Sequence, residues 1–174
     1  MWQGIVGAAL VTIVAVGGSE ASAQTGPRIR PEGDAVRALI DSGKERSATF
    51  RDLNTGLDKA SIVVYVRFSP CPGGVPACLN WASQGIDGPR LLIKVDRFGH
   101  SPDELTALLA HELQHATEVA SDSAITDLAS FQKSFATRGW KHVAGLETGE
   151  AIAIAKKVAA ELTRSGDGGE RRKP

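Results

Sequence analysis

The chain has 174 residues, and its 20 Lys and Arg residues balance its 20 Asp and Glu residues, so the formal net charge at pH 7 is +0. This balance gives none of the broad basic surface that nucleic acids or acidic membranes attract, so we expect neither partner. Hydrophobic residues make up 42% of the chain, enough for one domain with a modest core.

Residues 1–23 have the pattern of a secretory signal peptide. The stretch 5–16 is apolar, and small residues lead to Ala-Ser-Ala at 21–23, which is an A-x-A cleavage site. The apolar run is short for a membrane span, although no Lys or Arg precedes it. We therefore expect an exported bacterial protein, periplasmic or secreted, whose mature chain begins at Gln24 and keeps no membrane anchor.

The remaining chain reads as one domain, residues 24–163, followed by a tail. Apolar spacing and β-branched runs predict, in order, two short helices, two strands, a long helix and two further helices. They fall at 34–42, 47–57, 61–68, 90–95, 102–120, 127–136 and 147–162. This order indicates an α+β fold in which a small sheet packs against the long helix. The Gly-rich, charged tail 164–174 is expected to be disordered.

Two cysteines, Cys71 and Cys78, lie in the segment SPCPGGVPACLNW. In an exported protein such a pair favours a disulfide, and the prolines and glycines between them make the loop easy to close. The alternative is a zinc ribbon, which needs a second cysteine pair that the sequence lacks. The sequence therefore predicts a disulfide between Cys71 and Cys78.

The long helix has the clearest start signal in the chain. Ser101 is placed as its N-cap, Pro102 as its first residue and Glu104 as its third, which together form a capping box. The same helix carries the segment ALLAHELQHATE at residues 107–118. Whatever chemistry that segment performs is therefore expected on a well-defined helix.

The histidines of this segment have the spacing of two metal ligands. His111 and His115 differ by about 40° around a helix, so both rings project from one face, about one turn apart. Glu112 lies about 100° from His111, where it can reach a water on the metal without joining the ligands. Zinc lowers the pKa of such a water towards ~7, and a carboxylate can take its proton. The alternative is an ordinary helix with two surface histidines, but the preceding Leu-Leu-Ala turn favours an embedded segment.

HELQH, preceded by the strand RLLIKVD, resembles the H-E-x-x-H helix of zincin metallopeptidases over about thirty residues. The mature chain also resembles small exported bacterial proteins that carry an HELQH helix. The zincin resemblance implies Zn²⁺ held by His111 and His115, Glu112 as general base, and a peptide or protein substrate. It also implies that Arg90–Asp96 is the sheet-edge strand that pairs with an extended substrate.

The third ligand is open to three glutamates. The glycine and third histidine of metzincins are absent, whereas gluzincins, the closer resemblance, take a glutamate from a later helix. Glu147 is favoured because it is expected to begin the last helix on an inward face that continues through Ala151. Glu118 lies about 20° from His111 and is a second candidate, or else the hydrogen-bond partner of a ligand histidine. Glu150 is a third candidate, on a face that looks exposed.

Two functions from different classes fit the sequence. The first is an exported zinc peptidase, in which His142 is a secondary candidate for stabilising the developing oxyanion. The second is a non-catalytic exported module in which zinc holds the fold or supports an interaction. Glu112 favours the enzyme, because a closed structural site has no use for a carboxylate beside a water position.

Overall fold

The computed structural model describes residues 26–138, 140–142 and 145–170, with side chains for 26–137 and 147–166. The predicted signal peptide and residues 171–174 of the predicted tail lie outside this range. Among the described helices, none combines the length and the apolar character needed to cross a membrane.

The described chain folds as five α-helices and six short strands, which confirms the predicted α+β class. In chain order they are β1 (Ile29–Pro31), α1 (Asp34–Arg46), α2 (Ala48–Asp58), β2 (Val63–Phe68), β3 (Ala77–Gly85), β4 (Gly88–Val95), α3 (Pro102–Ser121), α4 (Leu128–Arg138), β5 (Trp140–His142), β6 (Gly145–Glu147) and α5 (Gly149–Glu170). A short 3₁₀ turn, Pro72–Gly74, lies between β2 and β3.

Four of the strands form one mixed sheet in the order β1-β2-β4-β3. β1, β2 and β4 run parallel, while β3 pairs antiparallel with β4 through a tight hairpin. The sequence predicts only β2 and β4, because β1 is three residues long and β3 lacks an apolar run. Gly88 begins β4 directly after the turn with a φ of +112°, a backbone conformation that residues with a side chain rarely adopt. A Cβ at this position would lie 1.8 Å from the Ser61 carbonyl oxygen.

The prediction that Arg90–Asp96 forms the sheet edge is wrong. β4, which contains most of that segment, lies between β2 and β3, and its alternate residues Leu91, Ile93 and Val95 are fully buried. A strand paired on both sides has no free hydrogen-bonding edge. The free edge on this side of the sheet belongs to β3, whose alternation is too polar to identify as a strand from sequence.

The long helix α3 lies at the centre of the fold. It contacts α1, α2 and α5 as well as β3 and β4. Leu105, Leu109 and Leu113 are buried at four-residue intervals along it and join the core formed by the sheet and Phe50 of α2. Each such side chain stabilises the fold by about 1.5–3 kcal/mol through removal of apolar surface from water.

The predicted capping box at the start of α3 is confirmed. The Glu104 N–H donates to the Ser101 hydroxyl oxygen at 3.3 Å, and the Ser101 N–H donates to the Glu104 carboxylate at 2.7 Å. These bonds satisfy backbone donors that the first turn of a helix cannot pair internally. The helix start, and with it the position of everything on α3, is thereby fixed.

The predicted disulfide is confirmed between Cys71 and Cys78, whose Cα atoms are 6.1 Å apart. It spans the 3₁₀ turn and joins the segment after β2 to the beginning of β3. A covalent link of this kind stabilises mainly by reducing the conformational freedom of the unfolded chain. In the folded protein the same bond fixes the beginning of β3 next to the segment that follows β2.

The last helix differs from its prediction at both ends. Glu147 closes strand β6 rather than beginning the helix, and α5 starts at Gly149. Thr148 is its cap, because the Thr148 hydroxyl accepts from the Ala151 N–H at 3.2 Å. At the other end the helix continues to Glu170, beyond Arg164, where the predicted disordered tail begins.

A carboxylate on α5 connects this last helix to the N-terminus of α2, an early helix. Glu161 accepts from the Ser47 hydroxyl at 2.6 Å, the Thr49 N–H at 3.0 Å and the Thr49 hydroxyl at 2.7 Å, all at the N-terminus of α2. Partial burial opposes ionisation of Glu161, but these hydrogen bonds outweigh it and lower its pKa to about 2. The carboxylate also suits the positive end of the α2 dipole.

We expect Glu161→Gln to destabilise the protein at pH 7 by about 1 kcal/mol, a value reduced because the carboxylate is partly exposed. Folding lowers the pKa of Glu161, so its contribution is complete above about pH 4.5 and is lost as pH falls towards 2. Urea unfolding should show that the difference in free energy of unfolding between wild type and Glu161→Gln becomes smaller as pH falls over this range. Glu150→Gln, a substitution at an exposed position of the same helix, is the control. An equal loss of stability in both variants would contradict the role assigned to Glu161.

Candidate metal centre

The two histidines of the HELQH segment converge as their spacing predicts. They lie on α3, and their Nε2 atoms are 3.2 Å apart. The two rings meet edge to face, with centroids 4.8 Å apart. His115 is buried and His111 is partly buried, so both are held by the surrounding structure rather than free in solvent.

Glu147 supplies a third donor to the same point. Its Oε2 atom lies 3.0 Å from His111 Nε2, and one donor atom from each of the three residues lies within 4.8 Å of the others. Ligands bound tetrahedrally at about 2.0–2.1 Å stand roughly 3.3 Å apart, close to two of these separations. The three residues therefore form a group that can hold a metal ion. Glu147 reaches it from the end of β6, not from the helix on which the sequence places it.

The other two candidate ligands lie elsewhere. Glu118 turns to the far side of His115, where its Oε2 lies 3.1 Å from Nδ1, the nitrogen that does not face His111. Its Oε1 accepts from the Thr148 hydroxyl at 2.7 Å. Glu150 is exposed in the first turn of α5 and is not part of the donor group. Glu118 is thus a hydrogen-bond partner of His115, in line with the alternative that the sequence leaves open for it.

Comparison of the chain with protein-family models, with curated proteins and with solved structures gives no match. Two imidazole nitrogens and a carboxylate oxygen are donors that suit zinc and other first-row divalent ions.

Glu112 lies beside the donor group without belonging to it. Its side chain is buried, and burial is the main cause that raises the pKa of the Glu112 carboxyl to about 7. The nearby His115 opposes this rise, Glu147 adds to it, and the Leu79 N–H of β3 opposes it by donating towards the carboxyl. A carboxyl with a pKa near neutral can both accept and release a proton at physiological pH.

The edge strand β3 directs some of its backbone groups away from the sheet, and one of them, the Leu79 N–H, donates to Glu112. The Asp96 N–H donates to the Pro76 carbonyl at 2.8 Å, which fixes the hydrogen-bonded pairs of the β3–β4 ladder. Cys78 with Lys94 and Asn80 with Leu92 are the next bonded pairs. The intervening residues of β3, Leu79 and Trp81, therefore direct their N–H and C=O groups away from the sheet.

Burial and charge act differently on the two histidines. Burial lowers the pKa of His111, which favours the neutral ring that a metal requires, although Glu147 opposes this. Burial also opposes protonation of His115, but the hydrogen bond to Glu118 and the nearby charges of Glu112, Glu118 and Glu147 together outweigh burial and raise the pKa of that ring. Glu118 is correspondingly held ionised, because His115 and Thr148 lower its pKa against the effect of burial.

Several aromatic residues at the site cannot be identified from the sequence. Phe135 of α4 packs against the His115 ring with centroids 5.5 Å apart, Phe131 lies 4.9 Å from Phe135, and Trp81 of β3 lies 5.8 Å from Phe131. Together they form an apolar wall from the edge strand to the donor group. The four-residue spacing of Phe131 and Phe135 indicates a shared helix face, but nothing in the sequence shows what that face covers.

His142, the secondary candidate for oxyanion stabilisation, lies in β5, but its side chain is outside the described residues. Its proposed role stays a prediction.

We expect one divalent metal ion per mature chain, bound through His111, His115 and Glu147. Replacing any of the three with Ala should abolish stoichiometric binding, because two remaining donors hold an ion poorly. Elemental analysis after dialysis against zinc measures the metal bound per chain. Glu150→Ala, which removes a neighbouring carboxylate outside the donor group, is the control and should keep its metal. Full metal in Glu147→Ala together with loss in Glu118→Ala would contradict the ligand assignment.

Proposed function

We propose that this chain is an exported zinc-dependent peptidase, gluzincin-like in its ligand set. The observation that carries the proposal is the position of Glu112: a buried carboxyl beside three convergent donors and beside the free edge of β3. Zinc, when bound, lowers the pKa of a coordinated water and polarises a carbonyl oxygen. His111, His115 and Glu147 would hold it and leave one tetrahedral position for water or substrate.

Glu112 is the proposed general base. Its carboxylate takes a proton from the attacking water as the water's oxygen adds to the peptide carbonyl carbon. The same carboxyl then gives this proton to the leaving amine as the carbon–nitrogen bond breaks. Burial, which raises the pKa of this carboxyl, favours its holding the proton between the two transfers.

The edge of β3 is the proposed substrate platform. An extended peptide can add to a sheet edge through main-chain hydrogen bonds, which recognise backbone rather than side chains. The outward-facing C=O group of Leu79 and the N–H and C=O groups of Trp81 would provide these bonds, whereas the Leu79 N–H already donates to the Glu112 carboxyl. The aromatic wall of Trp81, Phe131 and Phe135 lies beside this strand and would exclude water from one side of the site.

Export is part of the proposal. It is supported by the signal-peptide pattern of residues 1–23 and by the Cys71–Cys78 disulfide, a bond that persists mainly in oxidising compartments. A periplasmic or secreted location follows for the mature chain.

A non-catalytic zinc module is the alternative. A structural zinc site usually has four protein ligands, whereas the donor group among the described residues has three. Burying the Glu112 carboxyl also costs free energy through lost solvation, a cost with an evident purpose in catalysis. Both observations favour the enzyme.

We expect Glu112→Gln to fold, to bind zinc as the wild type does, and to lose peptide hydrolysis by about 10²-fold or more, because glutamine keeps the shape but not the basicity. Casein and then a peptide library are suitable substrates for the zinc-loaded mature protein. Glu150→Gln is the control and should retain activity. Equal cleavage by wild type and Glu112→Gln would refute the mechanism, and no cleavage by zinc-loaded wild type would favour the non-catalytic module.

A further inference from the structure

We propose that Glu118 and Thr148 are positioning residues of the metal centre, joining two ligands that come from separate parts of the chain. The inference rests on the proposed metal site. The two ligands in question are His115, on α3, and Glu147, at the end of β6. They are far apart in sequence and are brought together by the tertiary structure.

Glu118 fixes the state of the His115 ring. A neutral imidazole carries one N–H, and an ionised carboxylate can only accept. The 3.1 Å contact between His115 Nδ1 and Glu118 Oε2 therefore places the ring proton on Nδ1. This leaves the Nε2 lone pair facing His111 and available to a metal, in the orientation that ligand histidines commonly require.

Thr148 fixes Glu118 in turn. Its hydroxyl donates to Glu118 Oε1 at 2.7 Å, so both carboxylate oxygens are engaged and the side chain is held on the far side of His115. The same hydroxyl accepts from the Ala151 N–H at 3.2 Å, which caps α5. One hydroxyl thus connects the partner of a ligand histidine to the start of the last helix.

Thr148 also directly follows the ligand Glu147 in the chain. Its bond to Glu118 spans 30 residues of sequence and fixes the backbone next to Glu147 relative to α3. The path from His115 through Glu118 and Thr148 to Glu147 therefore holds the two ligands at a set separation before a metal arrives. A centre organised in this way binds metal more tightly because less freedom is lost on binding.

The test measures zinc affinity of the mature protein by competition with a chromophoric chelator. We expect Glu118→Ala to weaken binding by about 10–100-fold and Thr148→Val by about tenfold, while Thr148→Ser, which keeps the hydroxyl, stays within about threefold of wild type. The matched controls are Glu150→Ala and Thr163→Val on α5, where the Thr163 hydroxyl donates to the Ala159 carbonyl of its own helix. Both controls should bind zinc as wild type does.

Two further readouts separate positioning from general stability. ¹⁵N NMR of the metal-free protein, recorded at a pH high enough for the His115 ring to be neutral, should show His115 as the Nδ1–H tautomer in wild type and as a mixture in Glu118→Ala. Thermal unfolding of the metal-free variants reports any loss of fold. Unchanged zinc affinity in Glu118→Ala and Thr148→Val would overturn the inference. It would also be overturned if the zinc affinity of the variants fell only in proportion to their loss of thermal stability while the His115 tautomer stayed the same.

The outcome is distinguishable from failure of the proposed function. If wild type binds zinc but cleaves nothing, the peptidase proposal fails while the affinity pattern still supports positioning. If Glu118→Ala binds as tightly as wild type while Glu112→Gln loses hydrolysis, the positioning inference alone fails.

Discussion

The packing of α3 between the sheet and α5 is the constraint on which the rest of the structure depends. Leu109 and Leu113 bury one face of this helix, and that burial fixes its rotation. Because side chains three and four residues apart share a face, fixing the rotation also fixes where His111 and His115 point. The core and the metal centre are therefore set by the same helix, and a change that rotates α3 would disturb both.

The position of Glu147, the third donor of the group, depends on long-range polar contacts. Glu147 reaches the site only if the last helix is held against α3, and polar contacts at the start of α5 and in its second half help to hold it there. Near its start, Thr148 bonds Glu118 of α3, and further along, Glu161 bonds the N-terminus of α2. These bonds join residues 30 and 112 positions apart, so the site forms only when the whole domain has folded.

The sequence predicts what depends on local pattern. The α+β class, the capping box at Ser101, the disulfide and the convergence of His111 with His115 all follow from spacing or composition. What it misses depends on tertiary pairing: β1 is too short and β3 too polar to show a strand pattern, so the sheet edge is assigned to the wrong segment. Glu147 lies in the donor group, but the reason that the sequence suggests for this is wrong, because Glu147 reaches the group from the end of β6 and not from a helix face.

The central claim is that three residues form an open metal centre with Glu112 beside it. A crystal structure of the zinc-loaded mature protein, with anomalous data collected at the zinc edge, tests this most directly. The account predicts one zinc bound by His111 and His115 Nε2 and by the Glu147 carboxylate, with a solvent oxygen in the fourth position and Glu112 outside the coordination sphere. A zinc closed by four protein ligands, or one coordinated by Glu112 or Glu118 in place of Glu147, would contradict it.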